Sequence, residues 1–146
     1  MQDETLVLHW KNSSYVRQFS FRDEIISSDT HHAWFVNRIE NFEKSPCYMA
    51  CLESTDLEIG FLRLDHISSN SLEVGILIDK ESAGKGFGTQ SLGLLVSEAR
   101  NKFQSVSLVA RIACNNIASI ALFERAGFVI TESDSGKEIL NYQLKL

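Results

Sequence analysis

A single proline, Pro46, among 146 residues excludes a proline-rich linker or tail. No internal repeat or low-complexity tract interrupts the chain. No apolar run approaches the roughly eighteen residues that a membrane-crossing helix requires. The N-terminus also lacks the basic-then-apolar order of a secretory signal, so the expected location is the cytoplasm. Cys47, Cys51 and Cys114 are odd in number and lack the C-x-x-C spacing of metal or redox sites. Neither they nor the four histidines make a zinc set, so no metal is expected. Cys47 and Cys51, four residues apart, fall on one face of an expected strand and read as core. Clusters of Lys and Arg are missing too. With a formal net charge of -5, broad nucleic-acid binding is excluded, while an amine meets no overall repulsion. The length fits one domain over residues 1–146 that buries roughly two-thirds of its unfolded surface.

What the chain does have is a glycine cluster in a telling place. The stretch LEVGILIDKESAGKGFGT, Leu72 to Thr89, runs from an apolar strand into a loop with Gly84, Gly86 and Gly88, and a helical pattern follows. Glycine at every second position lets a backbone curl tightly with its N–H groups uncovered. The next helix adds its own unpaired N–H groups and the positive end of its dipole. Together they suit a phosphate or pyrophosphate. A dinucleotide fingerprint is excluded, because Gly86 and Gly88 are two apart rather than three; a Walker loop is excluded, because neither Ser nor Thr follows Lys85.

Strand, G-K-G-F-G-T, helix resembles the coenzyme A pyrophosphate loop of the GNAT N-acetyltransferases. Their [RQ]-x-x-G-x-[GA] pattern falls on Ala83, Gly86 and Gly88, and Ala83 stands where Arg or Gln is usual. A second stretch, NIASIALFERAGF from Asn116 to Phe128, resembles the family's N-x-x-[AS]-x-x-L-Y-x-x-x-G-F helix and strand. Asn116, Ser119 and Phe123 lie on neighbouring turns, where one helix face can line the pantetheine arm. Asn116 reads equally as an N-cap, and Gly127 as a helix C-cap. Phe123 occupies the place of the Tyr that supplies a proton to the departing thiolate in many relatives. A thiol pKa of about 8.5 makes that thiolate a fair leaving group without such help.

Periodicity places strands at Leu6–Trp10, Tyr48–Leu52, Leu57–Asp65, Leu72–Ile78, Val106–Ile112, Phe128–Thr131 and Ile139–Leu146. Helices are expected after Ser13 or Ser14, after an N-cap at Ser28, after the glycine loop, and at Asn116. Leu92, Leu95, Val96, Ala99 and Phe103 make an amphipathic stripe on the third of these. Alone, this pattern says mixed α/β. The resemblance implies an α+β GNAT fold: a mixed, mostly antiparallel sheet of about seven strands with about four helices, splayed between its fourth and fifth strands. It further implies acetyl-CoA as cofactor. The cofactor would be held by Ile76, Leu77 and Ile78 on the strand, by Ala83, Gly84, Lys85, Gly86, Phe87, Gly88 and Thr89, and by Asn116, Ser119 and Phe123.

Acyl transfer to an amine needs a proton acceptor and a polarised carbonyl. Backbone N–H groups near Ile76 and Leu77, freed where strands diverge, suit the second task. Glu73 suits the first, with apolar neighbours expected around it; it reads equally as a solvated strand carboxylate. Tyr48 and Tyr142 are the remaining proton donors to consider.

The run Trp10-Lys11-Asn12, Val16-Arg17, Phe19, Ile26, His31, Trp34-Phe35 resembles the nucleotide-sugar amine acetyltransferases of the pseudaminic acid pathway. That likeness implies a UDP-linked amino-dideoxy sugar as acceptor. Lys11 and Arg17 would meet its diphosphate, with Asn12 and His31 as further contacts and an aromatic ring stacked on sugar or uracil. The same residues also read as surface charges (Lys11, Arg17), a helix cap (Asn12), helix filler (His31) and core (Trp34, Phe35). The expected activity is acetyl-CoA-dependent N-acetyl transfer to a primary amine by direct attack in a ternary complex. The alternatives are a Rim-type protein N-terminal acetyltransferase and a non-catalytic acyl-CoA-binding module. A homodimer is left open.

Overall fold

The computed structural model describes residues 2–22, 24–133 and 138–146. The chain opens with three helices, α1 (Gln2–Asn12), α2 (Ser14–Arg17) and α3 (Ser28–Glu40). Strands β1 (Cys47–Cys51), β2 (Glu58–Ser68) and β3 (Ser71–Ile78) follow, then α4 (Phe87–Lys102), β4 (Ser107–Ala113), α5 (Ile117–Arg125), β5 (Val129–Ser133) and β6 (Ile139–Lys145). The strands form one six-stranded sheet in the order β1-β2-β3-β4-β6-β5. Every pairing is antiparallel except β3 with β4. The α+β architecture matches expectation, with one strand fewer.

The missing strand is Leu6–Trp10, which is helix. Five residues carry too little pattern to separate a period of two from one of 3.6. In α1, Val7 and Trp10 are buried three residues apart, and Asp3 and Glu4 in the first turn with Lys11 in the last complement the helix dipole. The third helix is capped by Ser27, whose hydroxyl accepts from the Thr30 N–H at 3.2 Å, one residue before the expected Ser28. Cys47 is buried as expected, but Cys51 is exposed, because a register shift between Ala50 and Cys51 interrupts the alternation.

Alternation gives the sheet two different faces. Leu62, Leu64, Leu72, Val74, Leu108, Ala110 and Tyr142 share the main core with Leu92, Leu95, Val96 and Ala99 of α4 and Phe123 of α5. On the opposite face, Cys47 and Phe61 pack with Val7 and Trp10, flanked by Trp34, Met49 and Leu77. Helices α4 and α5 thus cover one face, and the N-terminal helices cover the other. Glu73 stands where β3 and β4 separate, and the glycine loop follows the far end of β3.

Candidate active site

Strands β3 and β4 pair only at Ser71↔Ser107, Leu72↔Leu108 and Glu73↔Val109. Beyond Glu73 they diverge, while β3 stays paired with β2 through Gly60↔Ile78. The V-shaped gap expected between these strands is therefore present. The Asp79 N–H donates to the Ile59 carbonyl at 2.8 Å, which fixes the phase of the β2–β3 ladder. By alternation, Leu77 points its main-chain groups at β2, and Ile76 and Ile78 point theirs into the gap. Ile76 and Ile78 therefore present free donors there, and Leu77 does not.

At the mouth of the gap, Asp79 leads into a single 3₁₀ turn, Lys80–Ser82, and the Ala83 N–H donates back to Lys80 at 3.2 Å. Ala83 thus has no spare donor. The next six N–H groups, Gly84, Lys85, Gly86, Phe87, Gly88 and Thr89, donate to no acceptor among the described residues. The first bond of the α4 turn is Gln90 N–H to Gly86 at 3.2 Å. Gly84 and Gly86 have φ of +74° and +85°, the left-handed region that other residues occupy at a cost. Neither would meet anything within 4 Å if given a Cβ, so conformation rather than space requires glycine at both. A Cβ on Gly88 would lie 3.5 Å from Leu122 and 3.7 Å from Ile78, ordinary contact distances that put this end of α4 between β3 and α5. Six uncommitted donors at a helix N-terminus, beside an open strand edge, fit a pyrophosphate and the amide-bearing arm attached to it.

Across the gap, the Asn116 side-chain oxygen caps α5, accepting from the Ser119 N–H at 3.2 Å. The capping role is realised, and the amide N–H₂ group remains available to a ligand. Ser119 is half-buried one turn on. Phe123 is turned the other way: it is 2 % exposed and packs edge-on against Phe128, with centroids 4.9 Å apart. Its ring holds α5 to the core rather than lining the gap. Both candidate proton donors are committed as well. Tyr142 donates to Glu124 at 3.0 Å and Tyr48 to Glu98 at 3.2 Å. Burial raises the phenol pKa of both, to about 12 for Tyr48.

The face under the N-terminal helices carries charge that the strand patterns did not single out. Arg63 of β2 and Arg111 of β4 flank Glu73 of β3. Arg111 donates to both Glu73 oxygens, at 2.9 and 3.3 Å, and Arg63 stands 3.6 Å away. Glu73 is thus held by two guanidiniums instead of the apolar neighbours expected for it. Gly75 makes this possible. A Cβ there would fall 2.5 Å from Arg63 Nε, so only glycine lets that side chain cross β3. Asp65 pairs with Arg63 and with Arg38 of α3, which also donates to the Ser45 and Leu64 carbonyls. The available signal was Phe61-x-Arg63-x-Asp65, charge at alternate positions on a face whose other members are apolar.

The N-terminal residues divide sharply. Asn12 accepts from the Ile26 N–H and donates to its carbonyl, both at 2.9 Å, clamping the α2–α3 connection. The side chain thus holds a connection between helices rather than capping one. His31 is 2 % exposed and bonds the Glu4 carbonyl at 3.0 Å, tying α3 to α1, so it is no surface group. Trp10 is buried in the core beside Phe61. Arg17 ends α2. Lys11 is different: its Nζ lies 3.2 Å from the centre of the Trp34 ring. Burial, then repulsion from Arg63 and Arg38, lowers its pKa from the usual 10.5 to about 7.

A family description, acetyltransferase (GNAT) domain, matches residues 2–129. The chain belongs to the GNAT family of N-acetyltransferases. An uncharacterised protein of Methanocaldococcus jannaschii is 27% identical over 148 residues, covering 99% of this chain but 29% of that protein's length. A probable N-acetyltransferase of Bacillus subtilis, YjcK, is 27% identical over 133 residues, or 86% of this chain and 74% of the relative. Among solved structures, a domain from M. jannaschii superposes with a TM-score of 0.86 at 26% identity, covering 99% of this chain and 93% of that one. Spermidine N-acetyltransferase of Vibrio cholerae, in complex with CoA and spermine, gives 0.85 at 18% identity over 99% and 90%. Other GNAT neighbours are solved with acetyl-CoA or CoA. Among the described residues, no helix is long and apolar enough to cross a membrane and no cluster of ligands could hold a metal.

Proposed function

We propose that this chain transfers an acetyl group from acetyl-CoA to the primary amine of a sugar nucleotide, by direct attack within a ternary complex. The observation that carries the transfer chemistry is the row of six uncommitted N–H groups from Gly84 to Thr89 beside the open edge of β3. When bound, acetyl-CoA supplies a thioester carbonyl activated toward amines. The loop and α4 N-terminus hold its diphosphate; Lys85 stands on the same exposed loop. Ile76 and Ile78 N–H groups bind along the gap, where a donor aimed at the carbonyl oxygen counts most as negative charge grows there. The Asn116 amide and Ser119 hydroxyl line the far side.

The acceptor comes from the opposite face, under α1–α3. Glu73 receives the amine's proton, directly or through a water, as the new N–C bond forms and the C–S bond breaks. Arg111 and Arg63 keep its carboxylate in one orientation. The thiolate leaves without a tyrosine donor, since Phe123 has no hydroxyl and Tyr48 and Tyr142 are committed elsewhere. Holding both substrates at the gap contributes the largest share of the acceleration. The diphosphate of the acceptor meets the basic N-terminal side chains, Lys11 and Arg17. The proposed location is the cytoplasm.

A free-thiol assay with acetyl-CoA tests this reading against a panel of UDP-linked amino sugars, ribosomal-protein N-terminal peptides and spermidine. Turnover is expected with an amino sugar. Turnover restricted to peptides would replace the acceptor with a protein N-terminus, and failure of every amine to give thiol release would leave a binding module.

A further inference from the structure

Strand β1 ends the sheet, and among the described residues nothing pairs with its outer side. The Leu64 N–H donates to the Pro46 carbonyl at 2.9 Å, which sets the phase of the β1–β2 ladder. Tyr48 and Ala50 therefore turn their main-chain groups toward β2, and Cys47, Met49 and Cys51 turn theirs outward. None of those three N–H groups donates to an acceptor among the described residues. Sheet edges are commonly guarded by charged side chains, and Cys47–Cys51 carries none. Helix α4 forms a wall beside this edge. Its Phe87, Leu94 and Leu95, with Tyr48, Ala50 and Leu62 of the sheet, border an open cavity of about 1020 Å³. Leu94 is 73 % exposed there. The charge is one-sided: Glu53 and Glu98 line the cavity, and no Lys, Arg or His does. Glu98 stands at the start of β1, accepting from the Tyr48 hydroxyl at 3.2 Å, and Glu53 lies just past its end.

We propose that the β1 edge and the groove beside α4 are a docking site for an extended peptide segment of another polypeptide, apolar in its middle and basic at both ends. The segment adds to the sheet as a further strand, its N–H and C=O groups meeting those of Cys47, Met49 and Cys51. Its side chains alternate, so those in line with Tyr48 and Ala50 enter the groove against Leu94 and Leu95. Lys or Arg at the two ends meets Glu98 and Glu53. The same carboxylates disfavour a second copy of this chain as occupant. Pairing β1 with β1 about a two-fold axis would set the glutamates of both copies against one another. The site is independent of the acetyl acceptor, which approaches the opposite face of the sheet.

The test is calorimetric titration of the protein with the peptide acetyl-KTVTLTK-amide, joined by amide hydrogen exchange. Its valine and leucine face the groove, its threonines stand opposite the outward groups of β1, and its lysines meet the carboxylates. Saturable binding is expected, with exchange at the Met49 and Cys51 N–H groups slowed about tenfold or more. N-methylation of the threonines removes the donors that face β1 and should weaken binding at least about tenfold. Glutamate in place of both lysines should do the same. With the original peptide, Leu94→Lys, made at an exposed position, should also weaken binding, as should Glu53→Gln combined with Glu98→Gln. No binding up to about 1 mM, binding indifferent to N-methylation or to the lysines, or unaltered exchange at Met49 would overturn the site. Self-association of the chain alone, with the same two N–H groups protected, would give the edge to a second copy and overturn the peptide as its occupant.

Discussion

Between Ser71 and Arg125 the candidate site draws mainly on main-chain donors, joined by the side chains of Glu73, Asn116 and Ser119, whereas between Gln2 and Glu40 it draws on side chains alone. The first region offers N–H groups at Ile76, Ile78 and Gly84 through Thr89, set by strand divergence and two positive-φ glycines. The second offers Lys11, lying over the Trp34 ring, and Arg38, which pairs with Asp65 on β2 and through it joins Arg63, Glu73 and Arg111. Main-chain donors bind what every member of such a family binds. Side chains are free to change, and here they gather Lys11, Arg38 and Arg63 around Trp34 and Asp65.

The sharpest way to break this division is at Glu73, where the two regions meet. Glu73→Gln should lower kcat roughly 10²–10⁴-fold and remove the acidic limb of the pH–rate profile while acetyl-CoA still binds. An unchanged profile would remove the proton-acceptor role. Next in size is Gly75→Ala, which forces Arg63 off β3. Overpacking of this kind costs about 1–3 kcal/mol, and acceptor kcat/KM should fall about tenfold or more with acetyl-CoA affinity nearly unchanged. Equal losses for both substrates would mean that the two sides are not separable.

Asn12→Ala tests whether the acceptor side depends on its scaffold. It deletes two 2.9 Å bonds to Ile26 and should cost about 1–2 kcal/mol, seen as a fall in Tm of about 3–8 °C. A raised acceptor KM without a stability change would instead make Asn12 a substrate contact. Lys11 makes the stability depend on pH. Its folded pKa lies below its unfolded one, so between about 7 and 10.5 the unfolded chain holds a proton that the folded chain lacks. Stability from this residue therefore rises with pH across that window, and is lowest below it. Urea midpoints of the wild type should gain on those of Lys11→Met from pH 7 to 9.5, and parallel curves would place the amine in solvent.

The same contrast explains what could be read from the sequence. Glycine spacing, the Asn116 cap, the α4 stripe and the β3 alternation are local, so Gly84, Gly86 and Asn116 announce their geometry within a few residues. The charge belt is not local. Arg63, Glu73 and Arg111 come from three strands, and only β-pairing brings them together. Asn12 and His31 look like surface or ligand residues until Ile26 and Glu4 are found beside them. Leu6–Trp10 failed for another reason: five residues with apolar positions at both spacings fit either period, and burial of Val7 with Trp10 decided for helix.

Calorimetric titration of acetyl-CoA onto wild-type protein and Gly86→Val reaches the central claim most directly. Gly86 has φ of +85° and open space around it, so valine acts through the backbone alone, turning the loop's N–H groups out of line. The wild type should bind saturably, and the variant, still folded by its melting curve, at least about tenfold more weakly. Absence of heat with folded wild type, or equal affinity in the variant, would contradict a main-chain cradle for the cofactor.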